Sequence, residues 1–92
     1  MNTPTVQQIT AVMGRQSGTM RHTEFARRLG LKPRQVRDIY KRGGLPGAKE
    51  HSAYILVIPI ALLRLAEAYG LRGVERMAKA GLIAQPAHEE AA

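Results

Sequence analysis

Arg34, Gln35, Arg37, Asp38 and Lys41 crowd into one short stretch, interleaved with Val36, Ile39 and Tyr40. Read as a helix from Pro33 to Arg42, this stretch turns Val36, Ile39 and Tyr40 inward and exposes the five polar residues. An Arg guanidinium pairs bidentately with guanine and a Gln carboxamide with adenine. The chemistry implied is recognition through hydrogen bonds rather than bond breaking. Catalytic spacing is missing elsewhere. His22, His51 and His88 are scattered without metal-ligand spacing and read as surface side chains. Ser17 and Ser52 lie in no nucleophile motif. The run from Gly43 to Gly47 is not followed by the Lys-Ser or Lys-Thr of a phosphate loop. The expectation is a non-enzyme with no cofactor and no metal.

The elements that would position these residues follow from caps and breakers. Thr5 with Gln8 fits a capping box, with Val6, Ile9 and Met13 on one face, so residues 1–18 read as an N-terminal helix or arm. Thr23 can cap a helix that runs to Leu29 with Phe25, Ala26 and Leu29 inward, and Gly30 supplies a left-handed stop. Pro33 suits the first position of the next helix, which Gly43-Gly44 ends. Two short helices joined by a glycine-containing turn, the second polar and basic on its free face, describe a helix-turn-helix. A helix of this kind fits the major groove of duplex DNA.

The run YILVIPIALL from Tyr54 to Leu63 is uncharged but divided by Pro59. Tyr54 to Ile58 reads as a strand, and Pro59 as the start of a helix with Ile60, Leu62 and Leu63 inward and Gly70 at its end. The strand's hairpin partner would be roughly Gly47 to Lys49, with a tip at Glu50 to Ser52. A last helix is expected within Leu71 to Ile83, with Val74, Met77 and Ala78 inward. Residues 19–83 then form the DNA-binding domain and its C-terminal helices, and residues 84–92 a disordered, mildly acidic tail.

Charge and length bound the function. The net charge is +7, and ten of the fourteen Lys and Arg residues fall between Arg15 and Lys49, opposed there only by Glu24 and Asp38. That concentration suits a polyanion. Ninety-two residues make one small domain near the lower limit for a self-supporting core. There is no cysteine, no run long enough to span a bilayer and no signal-peptide pattern at the N-terminus. The expectation from these features is a soluble, intracellular protein with no membrane partner.

The segment EFARRLGLKPRQVRDIYKRGGLP, Glu24 to Pro46, resembles the start of a MerR-like winged helix-turn-helix. Its continuation, with Gly44-Leu45-Pro46, a short hairpin and the Ile58-Pro59 step into a Leu-rich helix, is similar to small excisionases, the recombination directionality factors of mobile elements. The resemblance covers about Arg21 to Tyr69. It implies a mainly α fold with a small β-hairpin wing. It also implies an architectural protein that binds and bends attachment-site DNA and directs a tyrosine-type integrase towards excision. By position, Arg34, Gln35 and Arg37 match the base-reading part of the recognition helix, with Lys41 near its end. Thr23 and Arg27 or Arg28 match phosphate contacts of the first helix, and Lys49 and His51 match the wing. Lys32 and Arg42, at the two ends of the recognition helix, complete the expected DNA-binding set. Lys32 departs from the small capping residue usual there, and Asp38 from a frequent aromatic. Full MerR regulators continue into a long dimerisation helix and an effector domain. The shortness of this chain favours an excisionase, with a small transcriptional repressor or activator as the alternative.

Two other rivals are RNA binding, which usually stacks bases on exposed aromatics, and a protein-interaction module that would use the apolar surface. In a strand, Ile55 and Val57 point opposite to Leu56 and Ile58. The expectation is that Ile55 or Val57 contributes to self-association on DNA.

Overall fold

The computed structural model describes residues 4–15 and 17–83. The described residues form five helices and one small antiparallel sheet. Their order is α1 (Val6–Met13), β1 (Thr19–Arg21), α2 (His22–Leu29), α3 (Pro33–Lys41), β2 (Lys49–Ser52), β3 (Ile55–Pro59), α4 (Ile60–Tyr69) and α5 (Leu71–Lys79). The mainly helical class with a small sheet is as the sequence implies. No helix among the described residues is long and apolar enough to cross a membrane. The expected tail at 84–92, with His88, lies outside the described residues.

Local signals place the helices. Thr5 and Gln8 form the reciprocal box at the start of α1: Gln8 N–H donates to Thr5 Oγ1 at 3.1 Å and Thr5 N–H to Gln8 Oε1 at 2.9 Å. Ile9 then buries against α4, which makes α1 part of the common core. Val6 was expected on that face but is 53% exposed, one turn short of the core. Gly30 closes α2 in the left-handed conformation, and Leu31 N–H returns to the Ala26 carbonyl at 2.8 Å. Thr23 does not cap α2. The helix begins two residues earlier than that cap would place it, after Arg21, and Thr23 is an exposed residue of its first turn.

The sheet corrects the expected hairpin. It has three strands in the order β1-β3-β2, so the central strand is paired on both sides. The hairpin partner is Lys49–Ser52 rather than Gly47 to Lys49, and the turn is Ala53-Tyr54 rather than Glu50 to Ser52. A register shift between Glu50 and Ser52 accounts for part of the difference, since a bulge lengthens one strand against the other. Tyr54 therefore leaves the strand and stands 77% exposed at the turn. Leu56 and Ile58 face the core, while Ile55 and Val57 are half-buried on the outer face.

His22 shows how the sheet is tied to α2. β1 pairs with β3 through Arg21 opposite Val57, so the next register position sets His22 opposite Leu56. There the backbone turns into α2, and the imidazole takes over the strand's role: Leu56 N–H donates to His22 Nδ1 at 3.1 Å. His22 is only 2% exposed, not the surface side chain its sequence context implies. An unpaired buried N–H at Leu56 would be costly, and His22 satisfies it.

The core runs through Phe25 and Ala26 of α2, Val36 and Ile39 of α3, Ile58 of β3, and Leu62 and Leu65 of α4, with Val74 and Met77 of α5. Gly44 lets the turn after α3 approach α5 closely. A Cβ there would lie 2.8 Å from both Glu75 Cγ and Ile39 Cγ2. Glu75 in turn takes the Arg42 guanidinium, with Nε–H donating to Oε2 at 2.8 Å and Nη2–H to Oε1 at 3.2 Å. This pair holds the Glu75 carboxyl down at about 2.

His22 predicts a pH dependence. Burial first, and the positive Arg37 second, hold its imidazole below the ordinary value of 6.5. The unfolded chain therefore takes up the proton first, and stability is full above about pH 6.5 and declines as the pH falls below it. Replacing His22 with Asn, whose side-chain oxygen can accept from Leu56 N–H without titrating, should flatten the melting temperature between pH 5 and 7. Equal slopes for the two proteins over that range would refute this role for His22.

Candidate nucleic-acid interface

The expected site residues separate by whether an acid already holds them. Glu24 holds two. Arg27 Nη2–H donates to it at 2.7 and 2.8 Å, and Arg28 Nε–H at 3.1 Å. Both guanidinium groups remain largely exposed, so the pairs add little stability, and either arginine could exchange Glu24 for a phosphate. Arg42 is different. Its fork closes on a carboxylate whose side chain is 12% exposed, and Lys79 Nζ lies 3.4 Å from the same carboxylate. Arg42 thus clamps the end of α3 to α5, and of the residues expected on DNA it is the one whose fork already holds a largely buried acid.

Arg34, Arg37 and Lys41 are in no ion pair, and neither are Lys32 and Lys49. The spacing of α3 explains why three of these gather. Val36 and Ile39 are buried on one side, so Arg34 and Lys41 point directly away from the core. Arg37 flanks them towards the sheet, where its charge acts on His22. Asp38 and Gln35 flank them on the opposite side.

Gln35 has a task that its sequence position hid. Its Oε1 accepts the Lys32 N–H at 2.9 Å, closing the first turn of α3 in place of a small capping residue. The carboxamide N–H₂ stays free, but bidentate pairing with adenine would require Oε1 to leave the cap. Gln35 is a helix-start residue first.

The sheet lies beside the Arg37 flank. Register places Arg21 and Lys49 directly opposite Val57 from its two sides, so the outer face carries an aliphatic centre between two cations. His51 is exposed on β2 beside the bulge. Arg21 was not singled out from sequence because β1 is only three residues long and lacks an alternating apolar pattern. Arg72 and Arg76 are two further basic residues, exposed on α5 and in no ion pair. Their spacing of four on a helix was a readable signal. Thr23 is exposed near Arg27 on α2 but makes no capping bond. Ile55 and Val57 stay half-buried, so their own chain covers them only in part.

On the other flank of α3 lies a groove of about 440 Å³ between the α2–α3 turn and the α4–α5 junction, floored by Leu29, Leu31, Ile39 and Leu71. No group of three or more His, Asp or Glu residues able to hold a metal ion occurs among the described residues. No protein-family model, curated protein or solved structure matches this chain.

The capping bond gives a separable prediction. Gln35→Ala should lower unfolding free energy by roughly 0.5–2 kcal/mol in denaturant titrations, whereas Gln35→Glu, which still accepts from Lys32 N–H, should retain it. Equal losses in the two variants would mean that the cap contributes nothing.

Proposed function

We propose that the chain is a sequence-specific double-stranded DNA-binding protein of the winged helix-turn-helix type, with α3 entering the major groove and the β2–β3 hairpin as the wing. The observation that carries this reading is the free cationic face of α3. Arg34, Arg37 and Lys41 have no acid partner, although Glu24 and Glu75 hold other basic residues close by. A helix turning uncompensated cations outward, beside a sheet face with Arg21 and Lys49, suits a phosphate-lined groove. Arg34 and Arg37 would reach base edges or the flanking backbone, and Lys41 phosphate. Lys32, Lys49 and His51 would add backbone contacts, and Thr23 with Arg27 and Arg28 would touch phosphate once Glu24 is released.

Within DNA binding, the assigned role is that of an excisionase. It would bind and bend attachment-site DNA so that a tyrosine-type integrase favours excision of a mobile element. The resemblance at Gly44-Leu45-Pro46 and Ile58-Pro59 supports this, and both steps have a physical basis here. Gly44 permits the close approach to Glu75, and Pro59 ends β3 while preceding the first residue of α4. Bending a site costs a few kcal/mol, offset when several small protomers add contacts side by side. An excision assay with the matching tyrosine-type integrase separates this role from that of a small repressor or activator, for which excision would proceed equally well without the protein.

In mobility-shift titrations on a cognate duplex, Arg34→Ala combined with Arg37→Ala should abolish specific binding. Lys41→Ala should weaken binding on all sequences and lower the slope of log affinity against log salt by about 0.9. Undiminished specific binding by the double variant would remove α3 from the interface.

A further inference from the structure

α3 turns one acid outward among its cations, and that acid has nothing to hold. Asp38 is exposed, and its carboxylate takes part in no hydrogen bond and no ion pair among the described residues. Arginines stand at the right spacing. Arg34 and Arg42 lie four residues away on either side, where an acid and an arginine can meet on a helix. Arg42 closes on Glu75 instead, and Arg34 makes no ion pair. Glu24, the other acid between Arg15 and Lys49, is held by two arginines. The placement of Asp38 is that of a reading residue. With Val36 and Ile39 buried, helical spacing sets Arg37 and Asp38 roughly 50° to either side of the outward line between Arg34 and Lys41. On the Asp38 flank, Gln35 Oε1 is engaged in the cap and Arg42 with Glu75, so Asp38 holds that flank's free acceptor.

A carboxylate on a face that meets phosphate weakens binding by like-charge repulsion unless a base gives it a hydrogen bond. A carboxylate can only accept. In the major groove guanine presents two acceptors, thymine an acceptor beside a methyl group, and adenine a donor next to an acceptor. Cytosine alone presents a donor, its N4 amino group, with no acceptor beside it. We propose that Asp38 is a specificity-determining residue, its carboxylate accepting a hydrogen bond from the N4 amino group of a cytosine in the major groove. This rests on the DNA-binding reading above and adds a named base to it. The same charge repels the backbone of every other sequence, so Asp38 sharpens discrimination while lowering binding strength.

The experiment selects binding sites from a randomised duplex pool and then titrates single duplexes. Wild-type protein should select a site with an invariant cytosine. Replacing that cytosine with thymine, which sets an acceptor where the donor was, should weaken binding roughly 5- to 150-fold. In Asp38→Ala the position should become degenerate, while binding to unrelated duplexes strengthens. Asp38→Asn should move the preference to adenine, whose N6 and N7 suit a carboxamide. An unchanged selected site in Asp38→Ala overturns the assignment and leaves the DNA reading standing. So does a loss of equal factor on all duplexes, which would make Asp38 only a charge partner within its helix. A wild-type protein that selects no sequence removes both.

Discussion

Everything near α3 depends on the register between β1 and β3. Three paired residues on each strand, Thr19 to Arg21 against Pro59 to Val57, fasten the chain just before α2 to the strand just after the hairpin. His22 extends that ladder by one side-chain bond at the point where the backbone departs into a helix. The result is that the helix pair begins on the sheet, and the hairpin cannot swing relative to α2 without breaking a buried hydrogen bond. A two-stranded hairpin alone is marginal in water, and the third strand supplies the missing support. The arrangement of cations on α3 and on the sheet follows from that one registration.

The other end of α3 is held by electrostatics of a different weight. Exposed pairs such as those of Glu24 typically contribute well under 1 kcal/mol, since water and salt screen them. The Arg42–Glu75 fork is bidentate, meets a mostly buried carboxylate and sits where Gly44 brings the backbone within contact of the same side chain. It is therefore a fixed feature of the fold, with the Nε and Nη2 donors of Arg42 committed to Glu75. On α3 itself, Arg34, Arg37 and Lys41 are the basic residues with no acid to hold.

Much of the helical frame was readable from local chemistry. The Thr5 and Gln8 box, Gly30 before Leu31 and Pro33, and the spacing of Val36 and Ile39 each act over a few residues, so the sequence contains the whole interaction. The misses were non-local. β1 is a strand only because β3 lies beside it, and Thr19-Met20-Arg21 carries no pattern of its own. The bulge between Glu50 and Ser52 moved the turn to Ala53-Tyr54, a choice set by pairing with β3 rather than by turn residues. His22 looked like a surface histidine because its partner is 34 positions away. For the cations, type and face were legible, but their partners were not. Arg42 and Lys41 are neighbours in sequence with opposite fates because only one meets Glu75.

The charge pattern of α3 shows what such a helix must reconcile. Nine residues are too few for an isolated helix to be stable, and Arg37 with Lys41 places like charges four apart. Asp38 partly offsets this, standing four residues from both Arg34 and Arg42. The remaining deficit is met at the ends and underneath, by the Gln35 cap, the Arg42 fork, and Val36 and Ile39 in the core. Repulsion among the outward cations persists in the free protein and falls when a polyanion neutralises them. A helix stabilised from its buried side and its termini can keep its outer face unsatisfied. That retained repulsion is what a polyanion meeting this face would relieve.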